Sequence, residues 1–146
     1  PQNPKTPQKR KKKNKSIGKL RSKFYLKANH ILYSYIHYGY SFLEKLNGIF
    51  SLAIYDKKDD QLILARDRFG TKPLYYVKTP SGLYFASELK ALMTLEDISL
   101  DIDYAAIENY VNYLWNPAHS TRLKAIKKLE AGHYLIVKNG LMKAIC

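Results

Sequence analysis

Cysteine is almost absent from these 146 residues: the single one, Cys146, occupies the last position. No internal disulfide can form, so a stapled secreted framework is excluded and a reducing, cytoplasmic setting is expected. Long apolar runs are missing too. None approaches the roughly 20 residues that a membrane helix needs, and residues 1–28 lack the apolar core of a signal peptide, so neither spanning nor export is expected. Acidic residues are absent from positions 1–43, which hold 11 Lys and Arg, a charge of +11. The remaining 103 residues hold 14 basic and 12 acidic side chains, a charge of only +2. The basicity therefore belongs to a leader and not to a fold. With 46% hydrophobic and 25% charged residues, the chain falls in the globular class at the length of one ordinary domain.

From Pro1 to Lys23 the sequence offers three prolines, the run Lys9-Arg10-Lys11-Lys12-Lys13 and little that is apolar. Ordering such a stretch costs entropy that no burial offsets, and residues 1–28 are expected to form a disordered basic leader. Clustered cations release counterions from phosphate, so an arm for nucleic acid or an acidic partner is the alternative reading. No aromatic platform or groove-entering helix follows in a basic context, which makes nucleic acid the weaker choice.

Periodic structure starts near Asn29. Ala28, Ile31, Leu32 and Tyr35 recur at helical spacing, Gly39 interrupts, and Phe42, Leu43 and Leu46 resume, predicting two short helical pieces that end near Asn47-Gly48. The apolar runs Ile49 to Tyr55 and Gln61 to Ala65 flank a charged turn and predict a hairpin covered on both faces. Leu74 to Val77 and Leu83 to Ala86, around Thr79-Pro80-Ser81-Gly82, predict a second hairpin, the four strands together forming a meander. Glu88 to Met93 reads as a short helix. Asp103 is placed to cap a longer one, with Ile107, Tyr110, Val111 and Leu114 on one face and Asn116-Pro117 at its end. His133 to Val137 and Leu141 to Ile145 bracket Asn139-Gly140, a strong hairpin signal. The thirteen tyrosines are expected at core and boundary positions.

Three ordered blocks then carry a resemblance: Leu46 to Asp56, Leu64 to Tyr76 with Arg66-Asp67-Arg68-Phe69-Gly70-Thr71-Lys72-Pro73 at its centre, and Tyr84 to Leu92. Together they resemble the glutamine amidotransferase domain of glutamine-hydrolysing asparagine synthases. Tyr113 to Pro117 and Ile126 to Leu135 resemble the segment by which that family leaves this domain toward its ATP-using synthetase domain. The resemblance implies an α+β fold of the N-terminal-nucleophile hydrolase type, an αββα sandwich of mostly antiparallel sheets, here incomplete. It also implies that residues 29–146 are part of a type-2 amidotransferase domain and that the synthetase domain is absent. In the family a cysteine at the start of the mature chain attacks the side-chain amide of glutamine, its own α-amine serves as base, and the ammonia released amidates an activated aspartate. ATP and magnesium are expected only of the synthetase domain, and no cofactor of this chain.

The departures are specific. Pro1 has no nucleophilic side chain, and the only thiol is Cys146. Leu26, Lys27, Ala28 and Asn29 stand where the family has an Asp-bearing segment that holds the substrate's amino group. A lysine there reverses the electrostatics. Residues 1–28 are accordingly expected not to descend from the family's domain, through a shifted frame, a wrong start or a gene remnant. The expectation is a chain inactive alone and marginally stable, with an exposed sheet edge prone to association. A non-catalytic binding module is the alternative.

Other candidates have structural explanations. Arg66, Arg68 and Lys72 present charges suited to an anion or a partner domain, yet Asp67 can close the turn on its own backbone, Gly70 can take positive φ and Pro73 fixes the exit. Ser87-Glu88 resembles a catalytic pair but is equally expected of an N-cap serine followed by an acid. His30, His37, His119 and His133 are dispersed, predicting no metal site. Pro1 as a tautomerase-type base would require an apolar first strand, which the basic run excludes. No catalytic, substrate-binding or metal-ligating residue is assigned.

Overall fold

The computed structural model describes residues 28–116 and 119–146, so the expected leader, 1–28, lies outside the described residues except for Ala28, which is helical. The described residues fall into two compact units, 28–46 and 47–146.

In the first unit residues 28–38 are helical (α1), and Gly39, at φ +57, breaks the run. A 3₁₀ turn at Gly39–Ser41 leads into α2, Phe42–Lys45. The apolar spacing anticipates both pieces. Phe42 is fully buried and meets Tyr35 edge to face at 5.7 Å, while the Lys45 ammonium lies 4.7 Å from the Tyr38 ring centre.

The second unit is α+β with antiparallel sheets. Its strands are β1 (Ser51–Asp56), β2 (Gln61–Arg66), β3 (Tyr75–Thr79), β4 (Gly82–Ala86), β5 (Lys127–Lys128), β6 (Tyr134–Lys138) and β7 (Leu141–Ile145). Three predicted hairpins form: Asp56 faces Gln61, Thr79 faces Gly82 and Lys138 faces Leu141. At the last turn Asn139 and Gly140 both take positive φ, the backbone a two-residue turn needs to follow the twist of its strands.

The expected meander does not occur. The strands divide into one sheet ordered β1-β2-β6-β7 and another ordered β4-β3-β5. Residues 67–73 carry the chain out of the first sheet, and β2 takes its second partner, β6, from far downstream, Ile63 facing Ile136. Leu64 and Leu135 of the first sheet pack with Leu74 and Leu129, with Tyr76 and Leu83 of the second sheet against them, so the sheets stack face to face. The opposite side of the second sheet buries Val77 against Leu92, Leu123 and Ile126. Adjacent residues Tyr76 and Val77 thus enter different cores, as the two-residue period of a strand requires.

Coverage is less even than the apolar runs suggested. Four of the six residues of β2 are buried, but Ala53 and Tyr55 of β1 are exposed, because β1 is an edge of its sheet with a single strand partner. No described tyrosine belongs to the buried core; the phenol groups sit at boundaries or in solvent.

Two helices complete the unit: α3, Leu89–Leu92, and α4, Tyr104–Tyr113. Asp103 caps α4 as expected, its carboxylate accepting from Ala106 N at 3.1 Å. The helix ends at Tyr113, before Asn116: Leu114 enters the left-handed region at φ 55 while its N–H still donates to Tyr110 O at 2.8 Å. Only Ala106 of α4 is buried. Ile107, Tyr110, Val111 and Leu114, read as one apolar face, remain exposed because the helix approaches the unit through its small residue.

Candidate functional site

The loop between β2 and β3 is the most tightly wired part of the second unit. Asp67 is 1% exposed, and its carboxylate accepts three backbone N–H groups of its own loop: Phe69 at 3.1 Å and Thr71 at 3.2 Å on Oδ1, and Lys72 at 3.3 Å on Oδ2. Burial alone would push this carboxyl up. The N–H groups of Thr71, Lys72 and Phe69, with that of Phe50, outweigh it and hold the group below the usual carboxylate range. Its backbone is equally engaged, since Asp67 N donates to Phe50 O at 2.9 Å and Asp67 O accepts from Gly70 and Gly132.

Arg66 takes the complementary part. Its guanidinium donates to Lys72 O at 2.8 Å through Nε, to Leu129 O at 2.6 Å through Nη1 and to Gly70 O through Nη2. A planar fork meeting three carbonyls locks the loop onto a segment 63 residues away. Gly70 has φ +63, and a Cβ there would stand 2.9 Å from Ala131 Cβ and 3.0 Å from the Arg66 guanidinium. Of the cations proposed for an anion or partner domain, Arg66 is thus turned to the protein's own backbone, while Arg68 and Lys72 are exposed. Phe69 at the tip is 89% exposed.

Ser87 and Glu88 do not form the expected cap. The N-cap position of α3 is Glu88, without a side-chain capping bond, and both residues face a cleft instead. The cleft, about 750 Å³, lies between α3, α4 and the chain around 120–128. Its rear is fixed by Thr121, whose Oγ1 lies 2.9 and 2.8 Å from the carbonyl oxygens of Leu123 and Ile126 and accepts from Leu123 N. Asp103 N to Arg122 O and Lys124 N to Asp101 O tie the start of α4 to the same segment. Lys128 enters half-buried, donating to Asn116 O at 3.1 Å, with its ammonium 5.9 Å from the Trp115 ring centre. Burial and then the Arg66 charge lower the Lys128 pKa, with Glu130 opposing them. Burial, then the same Glu130, raise that of Tyr76.

Of the four histidines, His30 and His37 lie in α1, whereas the fold brings His119 and His133 to a shared carboxylate. Glu130 Oε1 is 3.4 Å from His119 Nδ1, and Oε2 is 3.9 Å from His133 Nε2. Among the described residues no group of three or more His, Cys, Asp or Glu is disposed to hold a metal ion. Cys146 is exposed beyond β7. Sequence reasoning did not single out Arg122, Lys128 or Glu130. The one available signal was the density of large apolar residues from Tyr110 to Trp115, more than a helix with one buried position can hide.

Residues 16–144 match the family model described as the glutamine amidotransferase domain. The chain belongs to that family. It is 38% identical over 108 residues to glutamine-hydrolysing asparagine synthetase 1 of Bacillus subtilis strain 168, an alignment covering 74% of this chain and 17% of the relative. Against asparagine synthetase 3 of the same strain identity is 35% over 113 residues, 76% of this chain and 18% of the relative. Against the amidase chry2 of Gibberella zeae it is 34% over 104 residues, 71% and 15%. This amidotransferase-family chain spans less than a fifth of the length of the curated relatives it matches. Among the described residues, no helix is long and apolar enough to cross a membrane.

Proposed function

We propose that this chain is the C-terminal part of an N-terminal-nucleophile-type amidotransferase domain from an asparagine-synthase lineage. Glutamine is the nitrogen donor of that domain, and aspartate amidation is the use of the ammonia. The observation that carries this reading is the domain match over residues 16–144. The geometry supports a scaffolding role for the described residues. The loop most like the family's, Arg66 to Pro73, directs its buried carboxylate and one guanidinium at its own backbone. These 146 residues alone do not hydrolyse glutamine in this reading, because their single thiol, Cys146, has no α-amine beside it to act as base. ATP and magnesium belong to the synthetase chemistry, and no residue here is assigned to them. The setting is cytoplasmic.

The reading is tested in two steps. Purified polypeptide is assayed for glutamate and ammonia release from glutamine, with none above background expected; sustained turnover would overturn the inactivity. The residues aligned with Bacillus subtilis asparagine synthetase 1 are then exchanged into that protein. Retained glutamine-dependent asparagine formation supports the family role, and loss of it with ammonia-dependent formation intact refutes it.

A further inference from the structure

The cleft between α3 and α4 has no part in the scaffolding role, and its walls have a chemistry of their own. Three cations line it, Lys90, Arg122 and Lys128, against one carboxylate, Glu88; the Arg122 guanidinium also donates to Met93 Sδ at 3.7 Å, and Glu130, outside the lining, acts on Lys128. Alongside them stand the rings of Tyr75, Tyr110 and Trp115, the last 60% exposed. A volume of about 750 Å³ is that of a small-molecule site, typically ~300–1,000 Å³. We propose that this cleft binds a small organic anion with a flat apolar body, the body against Trp115 and Tyr110 and the anionic head toward Lys128 and Arg122.

Three observations carry the assignment. The lining is net cationic, so the complementary occupant is an anion. Lys128 uses one ammonium hydrogen on Asn116 O, leaving two of its three donors for a head group. The ammonium and the indole are neighbours, which places an aromatic surface within one small molecule's length of the charge. The lowered pKa of Lys128 agrees, since an anion would offset the desolvation its half-burial imposes. The inference does not depend on the amidotransferase reading.

Trp115 is the only tryptophan in the chain, so emission excited at 295 nm reports on this cleft. The probe is 8-anilinonaphthalene-1-sulfonate, titrated into the full 146-residue chain. N-phenyl-1-naphthylamine, the same ring body without the sulfonate, is the uncharged control. The expected result is saturable energy transfer from Trp115 to the sulfonate probe. Its affinity should fall about tenfold in Arg122→Gln and in Lys128→Met, while the uncharged probe changes less than about twofold, because a charge-assisted contact is lost only for the anion. Arg122 is exposed, so its variant reads the site even if Lys128→Met fails to fold. No saturable transfer, equal loss of both probes, or quenching that accompanies self-association in sedimentation would each overturn the proposal.

Discussion

Replacing Asp67 by asparagine changes almost nothing in shape and removes one charge from the interior. Oδ1 can persist as the amide oxygen and keep Phe69 N–H and Thr71 N–H, but as a neutral acceptor each bond weakens by about 1 kcal/mol. The amide NH₂ then replaces Oδ2 and faces Lys72 N–H, donor against donor, leaving that N–H without its acceptor at about 1–3 kcal/mol. Asp67→Asn should therefore destabilise by roughly 3–5 kcal/mol at pH 7, a large share of the ~5–15 kcal/mol of a typical domain. With a urea slope of about 2 kcal/mol/M, the midpoint falls by about 1.5–2.5 M at unchanged slope. The pH dependence has a definite sign. The folded carboxyl lies below its unfolded value of about 3.9, so the unfolded chain binds the extra proton, and this stability is present above pH ~4 and lost as pH falls through the folded value. Wild type and variant should thus converge on acidification from pH 6 to 3. A loss under 1 kcal/mol at neutral pH, or a gap that does not narrow in acid, would refute the argument.

Gly70→Ala should cost about 2–3 kcal/mol in the same assay, from positive φ and the approach to Ala131 Cβ; Ala131→Gly added to it should restore only part, since φ is untouched. Arg66→Lys should lose about 2–4 kcal/mol, because an ammonium cannot serve the carbonyls of Lys72, Leu129 and Gly70 at once; a change within 0.5 kcal/mol would contradict the fork geometry. Asp103→Ala removes the α4 cap and should cost about 1 kcal/mol, with Asp103→Ser recovering most of it by thermal unfolding. The outer edge of β7 is expected to associate. Leu141→Lys, at an exposed edge position, should shift sedimentation toward monomer, and a wild-type chain already monomeric at about 100 µM would end that expectation.

Much of the local structure was legible because its causes lie within a few residues. Asn139-Gly140 specifies a hairpin through the two positive φ angles it tolerates, and Asp103 caps α4 three residues away. The Asp67 turn was readable for the same reason, its acceptors and donors spanning residues 67–72. Ser87 was misjudged as a cap because α3 begins one residue later and offers only one turn. The shared apolar face of α4 was legible, but its exposure was not. Periodicity reports which residues align on a helix, while the helix's approach through Ala106 is set by what it packs against.

The sequence by itself determined the family, the turns and most of the elements, though not the two-residue β5, since hydrophobic period, capping side chains and three ordered blocks are properties of neighbouring residues. Tertiary structure decided which strands share a sheet, that Arg66 reaches Leu129, that His119 and His133 share Glu130, and that Lys128 and Trp115 meet at a cleft. Apart from His133 and Glu130, which are three residues apart, these side-chain contacts join groups 10 or more residues apart. Such pairings are selected by the burial of whole faces together, a quantity no local window of the chain contains.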